Sequence, residues 1–277
     1  MAYEDRGLKT LDYKMCRYGR SKLTFRGPAK SLDGEYIAFV GGTETFGKFV
    51  PAPFPDLVEA ALGIKTVNLG CMHAGPDAYL NDPKALDMCN GSIAVAMQVP
   101  HASNISNRYF SVHPRRNDRF LRTSTMMQSL YHDLDFTEFA FVRHMLSACR
   151  LKCEERFEMV VSEMQSAWVS RMRQLIGLIG SPTILFSLQN HHPKDQDGTA
   201  VLGSEPLFVH KPMLDGLEPL VHSIHVIEPS VNAVTRTQAG MIYPVDQTQI
   251  CDELMGPETH YEVAEVLGRV LKKASQT

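Results

Sequence analysis

Five short apolar runs, each bounded by Gly, Pro or polar clusters, punctuate the chain: YIAFV (36–40), TVNL (66–69), SIAVAMQV (92–99), TILFSL (183–188) and SIHVIE (223–228). Their length and uninterrupted apolar character predict buried strands. Between the first two, FPDLVEAALG sets Leu57, Val58, Ala61 and Leu62 on one helical face and ends at Gly63. The segment ERFEMVVSEMQSAWVSRMRQLIGLIG repeats Phe157, Val160, Val161, Met164, Trp168, Met172, Leu175, Ile176 and Ile179 at helical spacing and stops at Gly180 and Pro182. A last amphipathic stripe, Val263, Val266, Leu267, Val270 and Leu271, follows Thr259 and Glu262, whose spacing is that of a capping box. Strands alternating with helices predict a three-layer α/β fold around a doubly wound parallel sheet, with ligands bound at the carboxyl ends of the strands.

Residues 1–34 are irregular and carry Arg17, Arg20, Lys22 and Arg26, so they are expected to form a basic extension before a single domain over 35–277. Residues 100–155 are too many for a plain crossover and are expected to form a helical insertion beside the site. The chain has 277 residues, 44% hydrophobic and 21% charged, which is ample for a core and argues against disorder. Twenty-eight Lys and Arg against 31 Asp and Glu leave a net charge of -3, without the polycation character that drives nucleic-acid binding. There is no apolar run of signal-peptide type and none near the roughly 20 residues of a membrane span, so the expected compartment is the cytoplasm. Six cysteines form no CxxC pair, and neither a disulfide scaffold nor a zinc ribbon is expected.

Candidate chemistry follows the strands. After the first comes GGTETFGKF (41–49), which two chemistries can use. Gly42, Gly47 and Lys48 have the spacing of a phosphate-cradling loop, as a nucleotide or sulfo transferase would need, but Phe49 replaces the usual Ser or Thr, and Pro51, Pro53 and Pro55 forbid the helix that should follow. Alternatively, Gly41-Gly42-Thr43 makes a sharp turn that holds a hydroxyl at the strand tip, where a nucleophile meets a substrate carbonyl.

The stretch YIAFVGGTETFGKFVPAPFPDLVEAALGIKTVNLGCMHAGPDAYL resembles the opening of the SGNH (GDSL) hydrolases, whose pattern is strand, GDSxTxG, loop, helix ending in LG, then VxNLGxxG. The chain as a whole also resembles a divergent bacterial family sharing GGTETFGKF, NLGCxxAGxDA and HPRRNDRFLR. The hydrolase resemblance implies Thr43 in place of the nucleophilic Ser and Gly42 in place of the Asp of GDS. It implies oxyanion-hole donors at the Thr43 amide, Gly70 and Asn104, with Gln98 and Asn107 competing for the last role because PHASNISNR stands where GxND should be. His260, before the last helix, falls on the base, and Glu258 is the nearest acid, Pro257 occupying the position of the usual Asp. The activity implied is that of an esterase or acyltransferase on an O-acyl or O-acetyl ester, without a cofactor. The alternative is a catalytically inactive binding protein on the same scaffold.

The insertion supplies Arg115, Arg116 and Arg119, with Arg108, His113 and Arg122 nearby and Tyr109, Phe110 and Phe120 interleaved. Guanidinium forks suit anions and aromatic faces suit sugar rings, so a small-molecule or saccharide substrate bearing negative charge is expected. Pairing of these arginines with Asp118, Asp133, Asp135 and Glu138 is the competing explanation. His191 and His192, with Asp195 and Asp197, follow the fourth strand but make no complete metal-ligand set.

Overall fold

The computed structural model describes residues 11–189, 202–203 and 205–274. Its strands are β1 (Ile37–Gly41), β2 (Thr66–Gly70), β3 (Ala94–Gln98), β4 (Phe110–Val112), β5 (Phe120–Thr123), β6 (Thr183–Leu188) and β7 (Ser223–Ile227). Its helices are α1 (Thr43–Phe46), α2 (Phe54–Leu62), α3 (Pro76–Leu80), α4 (Pro83–Asn90), α5 (Thr125–Leu130) and α6 (Val142–Lys152). They continue with α7 (Glu154–Gly177), α8 (Lys211–Asp215), α9 (Val231–Thr235), α10 (Thr248–Asp252) and α11 (Pro257–Ala274).

The five apolar runs form one parallel sheet in the order β2-β1-β3-β6-β7, so the chain has the doubly wound α/β fold. Strand side chains alternate between the two faces. Ala38, Val40, Val67, Leu69, Val95, Met97 and Leu185 pack on one side with Met88 of α4 and Trp168, Met172 and Leu175 of α7. Ile37, Phe39, Ala94, Ala96, Ile184 and Phe186 pack on the other with Phe54 and Val58 of α2 and Val263, Leu267 and Leu271 of α11. Burying each Val, Leu, Ile, Phe or Met among them contributes about 1.5–3 kcal/mol. Trp168 satisfies its indole N–H on the Pro100 carbonyl at 3.0 Å.

Three expectations change. Residues 11–34 form no separate extension: Tyr18, Leu23 and Phe25 join the first core, and Asp82 holds the segment by accepting from Ser21 Oγ (2.8 Å) and the Lys22 N–H (2.7 Å). The insertion is not purely helical, since β4 and β5 pair antiparallel and pack with α5, α6 and the first half of α7 around Tyr131, Met145 and Phe157. The capping box is absent because Pro257 starts α11 two residues earlier, which leaves Thr259 buried inside the first turn. Glu262 instead accepts the Ser230 N–H at 2.8 Å.

Candidate active site

The order β2-β1-β3 makes the tips of β1 and β3 the point where the chain reverses its winding direction, and ligand crevices of such sheets open there. At the end of β1 the chain turns directly into α1, whose single turn stops at Gly47 in the left-handed conformation (φ 73°). Such a short helix lies against the strand tips only if they carry no side chain. A Cβ on Gly70 would fall 2.3 Å from Phe46 N, and one on Gly41 would fall 2.1 Å from Thr45 Oγ1. The cap of α1 comes from β3. Gln98 Oε1 accepts from the Gly42 N–H (3.0 Å), the Thr45 N–H (3.3 Å) and Thr45 Oγ1 (2.6 Å), while Gln98 Nε2 donates to Glu44 Oε2 (2.7 Å).

Thr43 opens α1 and is 6% exposed. Its Oγ1 accepts the backbone N–H of His73 at 3.1 Å, from the loop after β2. His73 has φ 59°, and Phe49, just past α1, has φ 65°. The residue that bonds the hydroxyl, His73, is thus a non-glycine residue in the left-handed region, local strain of the kind that gathers at functional sites. Burial pushes the His73 ring below its ordinary pKa, with Asp118 and Glu44 acting to raise it and Arg116 and Lys48 to lower it. Burial likewise lowers the Lys48 pKa, opposed by Cys251 and reinforced by Arg116. Charged groups from the β1 turn and the insertion thus converge on the loop that touches Thr43.

Asn117 makes that convergence possible. Fully buried, it accepts the Gly75 N–H at 2.6 Å and donates to the His113 carbonyl at 2.9 Å, clamping the 113–118 loop to the 71–75 loop. Asp118 is held in turn by Arg116 (3.3 Å) and through its carbonyl by the Val142 N–H (2.9 Å).

His260 and Glu258, expected to serve Thr43, have hydrogen-bond partners elsewhere. His260 is 2% exposed and stacks on Phe54 with ring centres 5.3 Å apart. Its Nδ1 accepts the Phe54 N–H at 3.0 Å, and the ring also bonds to the Met255 backbone. Burial, with Arg26 adding to it, pushes its pKa down to about 3. Both sides of the ring therefore serve backbone groups at the start of α2 and before α11. Glu258 does not orient it, because its Oε1 accepts from the Asn232 side chain of α9. The Gly70 N–H donates to Asn68 Oδ1 at 2.8 Å, so that glycine is required for close packing of α1 and its amide is already engaged.

The remaining candidates divide. Asn104 is buried at the rim of the 71–75 loop, where a Cβ on Gly75 would fall 2.0 Å from its carbonyl oxygen. Asn107 is consumed by a turn, accepting from the Tyr109 and Phe110 amides. Of the three arginines, Arg116 acts on His73 and Lys48. Arg119 lies over the Phe141 ring (4.9 Å), and Arg115 is exposed, with its N–H on His113 Nδ1 (3.3 Å). Arg108 pairs with Glu163 beside an open hollow of about 450 Å³ on α7. A phosphate cradle is not formed: Gln98 takes the amides such a loop would offer, and Lys48 follows α1 with its ammonium 4.7 Å from the centre of the Phe49 ring. His191, His192, Asp195 and Asp197 lie outside the described residues. Among the described residues no three His, Cys, Asp or Glu side chains are grouped to hold a metal, and no helix is long and apolar enough to cross a membrane.

Sequence reasoning missed His73, Asn117 and Asp118 as site residues. His73 lies inside the NLGCMHAGPDA block, but neither periodicity nor a spaced motif marks it.

No curated protein matches the chain. Among solved structures it is similar to a catalytic mutant of Axe2, an acetylxylan esterase from Geobacillus stearothermophilus, at 13% identity and a TM-score of 0.44, covering 85% of this chain and 93% of that one. It is also similar to the lipase Lip_vut3 from a goat rumen metagenome, at 10% identity and a TM-score of 0.41, covering 83% and 96%. Residues 1–275 match the family described as "Domain of unknown function (DUF6473)", and the chain belongs to it.

Proposed function

We propose that the chain hydrolyses or transfers the O-acyl group of a small ester, O-acetyl esters included, whose remaining part is carbohydrate-like or anionic, at the tips of β1 and β3. One observation carries this reading: the Thr43 hydroxyl stands at the end of β1 and is held by the backbone N–H of His73, a residue on which Glu44, Lys48, Arg116 and Asp118 act. A strand-tip hydroxyl of this kind is where an acyl carbon is attacked, and the amides of Thr43 and Glu44 at the first turn of α1 are the donors for the developing oxyanion. Asn104 at the rim is the third candidate donor. Lys48 and Arg116 supply the positive charge for an anionic substituent. The β-methyl of Thr43 restricts χ1, so its attack is slower than that of a serine at the same place.

Turnover of 4-nitrophenyl acetate and of an acetylated sugar tests the reading. Thr43→Ala is expected to lose about a hundred-fold or more in rate, and Thr43→Ser to retain or raise it. Equal rates in wild type and Thr43→Ala overturn it.

The engagement of His260, Glu258 and the Gly70 amide elsewhere favours a second reading, a binding protein on a hydrolase-like scaffold. Stabilisation by anionic saccharides in a thermal-shift assay, with no ester cleaved, would select it.

A further inference from the structure

We infer that His73, from the loop after β2, is the proton acceptor for Thr43, and that Asp118 of the insertion is its positioning residue. The inference rests on the acyl-transfer reading above and places His73 in the role that the hydrolase resemblance implied for His260.

The geometry is local. The backbone N of His73 lies 3.1 Å from Thr43 Oγ1, so the imidazole belongs to a residue in direct contact with the hydroxyl, and in the inferred reaction it turns a ring nitrogen to that oxygen. The left-handed backbone at His73 is what turns its N–H onto Thr43. His260 has no comparable freedom, since it is enclosed in the core and bonded to backbone on both sides.

Four charged groups face His73. Asp118 and Glu44 favour the imidazolium, while Arg116 and Lys48 oppose it. Glu44 is engaged by Gln98 Nε2 and Asp118 by Arg116, but Asp118 sits on the loop that Asn117 clamps to Gly75 beside His73. Burial is the largest influence and keeps the ring in its neutral, basic form at neutral pH.

In the first half-reaction the Thr43 Oγ–H proton passes to a His73 ring nitrogen as Oγ bonds to the acyl carbon and the carbonyl becomes an oxyanion. The oxyanion collapses, the ester C–O bond breaks, and the leaving alkoxide takes the proton from His73. Water then attacks the acyl-threonine and gives its proton to His73. Collapse releases the carboxylic acid, and Thr43 Oγ recovers the proton. The sum is ester plus water to acid plus alcohol.

The test is 4-nitrophenyl acetate hydrolysis across pH in the full chain, with wild type, His73→Asn, His260→Asn and Asp118→Asn. Asn tolerates the left-handed backbone at 73, and at 260 its side-chain oxygen can replace Nδ1 as acceptor from Phe54. Thermal melting confirms that each variant is folded, and His73→Ala is the second variant if His73→Asn is not. Support is a loss of roughly a hundred-fold in kcat for His73→Asn, the rate kept in folded His260→Asn, and the acidic limb of the pH profile moved to lower pH in Asp118→Asn. A wild-type rate in His73→Asn together with a dead but folded His260→Asn overturns the role of His73 and leaves acyl transfer standing. No turnover by wild type or Thr43→Ser overturns acyl transfer itself and this inference with it.

Discussion

Lowering the pH from about 7 to about 5 protonates His260 in the unfolded chain but not in the folded one, because burial moves its pKa from the ordinary 6.5 to about 3. The folded pKa is the depressed one, so this contribution to stability is complete above the unfolded value and is lost as the pH falls through the window between 6.5 and 3. Over that window each pH unit costs about 1.4 kcal/mol, which gives about 2 kcal/mol lost between pH 7 and pH 5 and about 5 kcal/mol in full. The residue is 2% exposed, so solvent screening takes little from the figure. Urea unfolding of wild type and His260→Asn at the two pH values isolates the effect, since carboxylates titrate in both proteins. Losing the ring from its stack on Phe54 should lower the stability of the variant at pH 7 by about 1–3 kcal/mol. Between pH 7 and pH 5 the variant should fall less than wild type by about 2 kcal/mol. An identical fall in both would mean that His260 takes up its proton in the fold, and its confinement to a structural role would be refuted.

Gly70→Ala places a Cβ 2.3 Å from Phe46 N and should destabilise by about 1–3 kcal/mol in urea unfolding; a neutral result would show that α1 can lift from β2 at no cost. Gln98→Leu leaves the Gly42 and Thr45 amides without their acceptor and should lower stability by about 1–3 kcal/mol, with parallel loss of ester turnover; full activity would count against the β1 tip as the site. Asp82→Ala removes the cap of α4 on Ala85 N together with the anchor of residues 21–23, for a cost of about 3 kcal/mol. Its check is early proteolysis of the N-terminal segment.

The sheet was legible because burial on both faces writes each central strand as an unbroken apolar run, and because Gly and Pro mark the turns between them. The stripes of α7 and α11 were legible for the same reason, each helix having one face to bury. The position of Thr43 at a strand tip follows from local order alone: strand, two glycines, hydroxyl. What surrounds it does not. His73 reaches Thr43 through a backbone bond in a left-handed loop residue, Gln98 crosses from β3 to cap α1, and Asn117 draws the insertion onto the site. These are contacts between segments far apart in sequence, made by single polar residues that obey no period. His260 shows the converse. The hydrolase resemblance implied a base at this position, yet the imidazole accepts the Phe54 N–H at the start of α2, a buried donor that needs a partner. Local pattern determined which segments are buried and in which order they wind; tertiary packing decided which polar side chains meet, because burial demands a partner for every such group wherever in the chain that partner lies.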